Sequence, residues 1–413
     1  IIYYSTPSLP LSNTYTLSKT AIAVASGDDS YIFNSAVQTL IFSEKNAPKK
    51  DAFPWYEWYT AAGETVTSIS AGDDYATGKK PLNAAGNGAA KSWTDPHVLP
   101  AYAGFYKLET DVTPSPLGDS SWNVPYGKTT LDLNGHVIDF NQLQKDVKIP
   151  AGSSLTVCDS NPNTNHHQTS GLIYLIDGGL LNSEKVLIDG GSLIVDGGTI
   201  VERTISITNE GSLTLNSKGA ISSYTYASCE ISIGTNCVFT MDGGNLRAMP
   251  MDGHGVCIQN YGTFTMNGGT LSYYKGDKNV IFNSNTGKFT LTGGEISKNT
   301  VIGNAIIQNN GRFEMTAGTI TGNQAQASIG ALVESSYSST IRNTGTFDMS
   351  GGTISHNTAD GNGGGLYVDT TGVAELKGNA KITDNTADIA GGGIFINADG
   401  TSKFGRLTLS ENV

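Results

Sequence analysis

The stretch Thr263-Phe264-Thr265-Met266-Asn267-Gly268-Gly269-Thr270-Leu271-Ser272 returns in successive versions down to the C-terminus. A self-similar period of this kind restricts a chain to stacked, quasi-one-dimensional architectures. The pattern recurs at Lys288 to Ser297, Arg312 to Thr321 and Thr346 to Ser355. In each copy a Phe and a Met or Leu stand two positions apart with Thr, Glu or Asp between them, the alternation of a strand with one buried face. Gly-Gly, or Ala-Gly in the third copy, then bends the chain, and Leu271, Ile296, Ile320 or Ile354 begins another short inward-facing segment.

The inward residue of the central strand sets the register. It reads Met241, Met266, Leu291, Met315, Met349 and Leu376, extended upstream to Leu133, Val157, Val195 and Leu215 and downstream to Leu409. This predicts about eleven rungs at ~4.8 Å each, a rod of roughly 50 Å. A strand precedes each rung, seen as Val256/Ile258, Leu366/Val368 and Ile394/Ile396, so three faces are expected. The fold expected is all-β: a single right-handed parallel β-helix, spanning 126–413, behind a non-repetitive N-terminal cap region, 1–125. The long step between Met315 and Met349 places an insertion at Gln324 to Ser339, and that between Val157 and Val195 another containing Asn161 to Thr169. Insertions of this kind are where repeat proteins build binding surfaces. Asn299, Asn323, Asn357 and Asn385 fall at one place after the third strand, where stacked amides can hydrogen-bond along the axis.

Composition agrees with turn-dense β-structure. The 413 residues include 51 Gly, are 38% hydrophobic and only 15% charged. A net charge of -12 disfavours nucleic acid as a partner, since no basic run exceeds a pair such as Lys49-Lys50. No stretch of about 18 apolar residues occurs, so membrane insertion is not expected. The chain starts at Ile1 without a Met or signal-peptide pattern, as expected of a processed or trimmed chain. Cys158, Cys229, Cys237 and Cys257 have no CxxC spacing and read first as free thiols, with a bridge from Cys229 or Cys237 to Cys257 as the alternative.

The N-terminal region holds all four tryptophans, Trp55, Trp58, Trp93 and Trp122. Thr14 to Ser26 and Thr65 to Ser70 alternate like strands, and Tyr31 to Ser43 suits either a strand or an amphipathic helix. A solenoid needs its end covered, so this region reads as a cap. Trp55 and Trp58, within Phe53 to Tyr59, are candidates for stacking on carbohydrate, against the plainer role of burying the end of the core.

The passage from Trp122 to Ile138 (Trp-Asn-Val-Pro-Tyr-Gly-Lys-Thr-Thr-Leu-Asp-Leu-Asn-Gly-His-Val-Ile), followed by Phe-x-Met-x-Gly-Gly-Thr-Ile-Ser-x-Asn repeats, resembles right-handed parallel β-helix surface proteins of Gram-positive, largely gut-dwelling bacteria. The likeness covers about residues 105 to 413. It implies an extracellular or cell-surface protein acting as an adhesin or glycan-binding stalk, with host or cell-surface glycans or proteins as partners. The wider pectate-lyase-like group also includes lyases and glycoside hydrolases, so the likeness specifies architecture more than activity.

Chemistry is best sought in the outward residue of the central strand: Asp132, Thr156, Ile194, Thr214, Thr240, Thr265, Thr290, Glu314, Asp348, Glu375 and Thr408. The threonines suit an exposed β-surface; an ice-ordering role is disfavoured because Ile194 and three acids break the row. Glu314, Asp348 and Glu375 fall on consecutive rungs, so neighbouring carboxyls are about 5 Å apart and the outer pair about 10 Å, bracketing glycosidase separations. Such crowding would raise one pKa, as a general acid needs, or bind calcium, although a solvated acidic stripe is the plainer reading. No other cofactor is expected. An enzyme would also need Lys, Arg or a sugar-stacking aromatic beside the acids. The outward residue of the preceding strand is read as Cys257, Phe282, Ile306, Thr340, Tyr367 and Phe395, an apolar row covered by loops, by a partner or by a sugar. Phe282, Tyr367 and Phe395 are the ligand-binding candidates there. His166-His167 lack the separation of zinc ligands, and His136 reads as a structural hydrogen bonder. No Gly-x-Ser-x-Gly elbow, phosphate-binding loop or dinucleotide fingerprint occurs. Carbohydrate-active catalysis is the alternative to adhesion. A third is homotypic end-to-end assembly, since the chain stops at Leu407 to Val413 without a visible cap.

Overall fold

Short alternating segments between glycine corners cannot bury a face alone, so each copy must stack on the next. The computed structural model describes residues 90–410 except 102, 115–120, 141–145, 164–177, 223–228, 248–254, 329–337 and 401–402, together with three strands near the N-terminus. Those three, Ala21–Val24, Ser30–Asn34 and Thr39–Phe42, form an antiparallel sheet, which decides between strand and helix for Tyr31 to Asn34.

In the coil that holds the repeat unit, the chain passes through Val256–Asn260, Thr263–Met266, Thr270–Ser272 and Lys275–Gly276 before Ile281–Asn283 returns to the first face. Each segment pairs in parallel with its counterpart one coil away; Thr265 stands opposite Thr240 and Thr290. Among the described residues the central sheet so formed has 13 strands, the sheet preceding it in each coil 11 and the sheet following it 10. From Lys275 onward a fourth, five-stranded corner sheet is added, where three faces were expected. The described residues contain no helix, and the molecule is an all-β parallel β-helix. The stack reaches upstream of Lys128, where the periodicity first becomes readable: Lys91–Trp93 and Gly104–Leu108 are the first two strands of the central sheet.

The core is a set of rows running along the axis. Phe239, Phe264, Phe289, Phe313 and Phe347 are fully buried and stack with ring centroids 5.0, 5.0, 4.4 and 4.7 Å apart. Like residues fall on like because the backbone register is parallel, so one favourable ring offset is repeated from coil to coil. The corners close on glycine for a steric reason. Gly294 has φ 82°, and a Cβ there would lie 2.7 Å from the Gly269 carbonyl oxygen of the coil below.

Buried polar turns are satisfied by amide ladders. Asn299, Asn323, Asn357 and Asn385 each donate from Nδ2 to a backbone carbonyl, and the first three also donate to the next Oδ1 at 2.9 Å. A second ladder, not anticipated, joins Asn260, Asn283, Asn309 and Asn343 at 2.7 Å per step, where the preceding strand turns into the central one. Its signal was in the sequence: an Asn before each Gly-x-Phe, spaced with the coil.

Two register expectations are corrected. In the rung at Gly127–Asp132 the residue opposite Val157 is Leu131, so Thr130, not Asp132, shares the row of Thr156. Leu131 and Leu133 are both apolar, and alternation alone could not choose between them. Leu133 already belongs to the turn, in which Asp132 Oδ1 accepts from the backbone N–H groups of Asn134 and Ser160. On the preceding sheet, Cys257, Ile306 and Thr340 are fully buried and do not belong to the outward row. That row is Ser232, Gln259, Phe282, Gln308, Arg342, Tyr367 and Phe395.

Candidate functional site

The expected acidic row exists: Glu314 stands opposite Asp348, and Asp348 opposite Glu375, on the outward face of the central sheet. Its charge is balanced, however. Arg312 Nε donates to Glu314 Oε1 at 2.5 Å, and its NH2 group lies 2.9 Å from Asp348 Oδ2. Lys288 adds a longer pair to Glu314 at 3.5 Å, and Lys377 pairs with Glu375 at 3.3 Å. The hydrogen bond from Arg312 holds the Glu314 carboxyl below its usual range, opposite to what a general acid requires. Lys288 and Arg312 were legible, since each stands two residues before the outward residue on the same face. Among the described residues no three His, Cys, Asp or Glu side chains converge as a metal-ligand group.

The outward face of the preceding sheet is different. Phe282, Tyr367 and Phe395 lie on it, but between glutamines and an arginine, so the row is amide and aromatic rather than apolar. The Tyr367 and Phe395 rings stack at 5.2 Å, and the Arg342 guanidinium lies 5.8 Å from the Tyr367 ring centroid. Arg342 also donates to Asp369 Oδ2 from NH2 at 2.6 Å. Burial works to raise the Asp369 pKa, but donors from Arg342, Asn397 and the Thr370 N–H outweigh it and hold the carboxyl below its usual range.

Two rungs toward the N-terminus from Gln308, an open groove of about 400 Å³ is lined by Glu230, Ser232, Gln259, Tyr261, Asp277, Lys278, Asn279 and Asn304. Ser232 and Gln259 come from the sheet face, and the segment Asp277 to Asn279 from the corner of the next coil. The wall is held in place by its own hydrogen bonds. Asn279 Nδ2 donates to the Ala305 carbonyl and Asn304 Nδ2 to the Asp277 carbonyl, both at 2.7 Å, and Lys278 Nζ donates to Glu230 Oε2 at 2.6 Å. Tyr261 is 42% exposed, with the Phe282 ring 6.2 Å away. Its backbone N–H donates to the Ile233 carbonyl, and its carbonyl accepts from Thr286 Oγ1, so the ring projects from a fixed corner. Sequence reasoning missed Tyr261 because it sits outside the strand alternation, in the turn after Asn260.

The remaining candidates fall into place or out of view. His136 Nδ1 lies 3.1 Å from Asp111 Oδ1, the structural hydrogen bond expected of it. Trp55, Trp58 and His166-His167 lie outside the described residues. All four cysteines are free thiols, and burial pushes Cys158 and Cys257 up to about 12, which removes them as nucleophiles at neutral pH. Glu202 is fully buried; Ser183 Oγ donates to its Oε1 at 2.6 Å, while Oε2 has no partner.

Stacked parallel sheets, internal amide ladders and a polar, aromatic-edged groove define the class: a parallel β-helix solenoid with a rigid, continuous lateral surface. Comparison with protein-family models, with curated proteins and with solved structures finds no match for the chain.

Proposed function

We propose that the protein is an extracellular bacterial surface protein that binds glycans without cleaving them, as an adhesin or glycan-binding stalk. The observation that carries the reading is the outward row of the preceding sheet, in which Gln259, Gln308 and Arg342 interleave with Phe282, Tyr367 and Phe395. Aromatic rings pack against the C–H groups of sugars, and planar amides match pairs of hydroxyls, so the row combines the two contacts a sugar needs. A rigid solenoid repeats them along its length, which suits multivalent contact with a polymer. The second reading, a carbohydrate-active enzyme, has one observation in its favour: Arg312 stands between Glu314 and Asp348. The same pairing raises the Arg312 pKa and so works against proton transfer through it.

The test is incubation of the chain with a panel of plant and mucin glycans, scored for binding and for products, and repeated with Asp348→Asn. Binding without products supports the proposal. Product formation that Asp348→Asn abolishes overturns it in favour of the enzyme.

A further inference from the structure

We infer that the groove beneath Tyr261 is the primary sugar subsite and that it selects neutral over anionic glycans, which run along the solenoid axis toward Tyr367 and Phe395. This rests on the glycan-binding reading above and adds a place, a direction and a charge class to it. The place follows from the groove's make-up. Tyr261 offers an exposed ring, Gln259 and Ser232 polar groups from the sheet face, and Asn279 and Asn304 two further amides. Both asparagines use Nδ2 to fix the loops, so in each the atom left to accept from a hydroxyl donor is Oδ1. A volume of about 400 Å³ suits a mono- or disaccharide, and an open groove lets the chain continue beyond it.

The direction follows from the register. Gln259, Phe282, Gln308, Arg342, Tyr367 and Phe395 occupy successive rungs of one row. Adjacent rungs are spaced at ~4.8 Å, close to the length of one pyranose in an extended glycan, so successive sugars keep step with successive side chains. Phe282 and Tyr367 stand three rungs apart, roughly 14 Å, so a ligand of several units is needed to reach both platforms.

The charge class follows from the ion pairs. Anionic glycans require unpaired cations, but Lys278 is paired with Glu230 at 2.6 Å and Arg342 with Asp369 at 2.6 Å. Asp277 adds a further carboxylate to the groove. A uronate or sialate would therefore meet net negative charge, on a chain whose overall charge is -12.

Isothermal titration of the full chain is the test. The neutral probes are N-acetylglucosamine, mannose and cellulose oligomers of one to six units, and the anionic probes are oligogalacturonate and sialyllactose. A neutral oligomer should bind at least tenfold more tightly than either anionic probe. Its affinity should rise as it lengthens and fall at least tenfold in Tyr261→Ala. Tyr261 meets its turn partners through backbone atoms, so that variant keeps the fold, which circular dichroism and melting verify. Glu230→Gln unpairs Lys278 and should bring anionic binding up at least tenfold. Anionic probes binding as tightly as neutral ones, or Tyr261→Ala leaving neutral affinity within twofold, would overturn the inference while the glycan-binding reading stood. Absence of binding by every probe would overturn both.

Discussion

Replacing Asn323 by Ala tests the ladder that fixes one corner of the helix. The Asn323 side chain makes four hydrogen bonds at zero solvent exposure. Its Oδ1 accepts from the Asn299 backbone N–H at 3.1 Å and from Asn299 Nδ2 at 2.9 Å; its Nδ2 donates to the Ile296 carbonyl and to Asn357 Oδ1, both at 2.9 Å. Truncation leaves the Asn299 N–H buried without its acceptor, costing about 1–3 kcal/mol, and removes three further bonds whose partners keep other contacts, each worth about 0.5–1.5 kcal/mol. The loss expected is about 2.5–7.5 kcal/mol. Exposed Asn267 is the control: it donates to Asp242 Oδ1 and accepts from Thr292 Oγ1, and its removal should cost less than about 1 kcal/mol because water replaces both partners. Urea denaturation gives the total, and native-state hydrogen exchange gives the location, with protection lost first at Asn299 and in the coils on either side. Asn323→Asp keeps the shape but loses the donors, so its cost should shrink at acid pH as the carboxyl takes up a proton. A loss for Asn323→Ala no greater than for Asn267→Ala would refute the reasoning.

Phe313→Ala removes a ring stacked 4.4 Å from Phe289 and 4.7 Å from Phe347, and should cost about 3–5 kcal/mol, checked by the same denaturation series. Lys298 holds φ 57° at the corner where the next coil has Gly322, so Lys298→Gly should raise stability by up to about 1 kcal/mol despite loss of the exposed contact with Tyr273. A lowered melting temperature would contradict this. Burial raises the Glu202 pKa well above its usual value, so the folded carboxyl stays neutral while the unfolded one ionises as pH rises above the ordinary carboxylate range. Stability should therefore fall by up to about 1.4 kcal/mol per pH unit until the folded pKa is reached. Glu202→Gln should accordingly gain on the parent between pH 3 and pH 7; a difference independent of pH would exclude this account.

How much could be read from the chain depended on whether position or depth was at issue. Phe-x-Met-x-Gly-Gly specified the central strand and its corner because each residue type has one physical use there, and the Asn299 ladder followed from its constant offset after Ile. Register failed wherever two apolar residues competed for one place, as with Leu131 and Leu133. It failed again on burial: Cys257, inside Val256–Asn260, and Ile306 and Thr340, just before their strands, are fully buried two residues before Gln259, Gln308 and Arg342. The acids of the central sheet were located correctly, yet their neutralisation depended on the reach of Arg312 across two rungs. The groove at Tyr261 has no motif. It arises where a turn of one coil meets the corner of the next, a proximity that no local pattern encodes.

The most direct test of the account is a crystal structure of the chain with a bound neutral oligosaccharide. The prediction is a sugar ring stacked on Tyr261 with hydroxyls on Gln259, Asn279 and Asn304, and the chain extending past Phe282. A sugar seated instead on Glu314, Asp348 and Glu375, with its glycosidic bond beside Arg312, would contradict it.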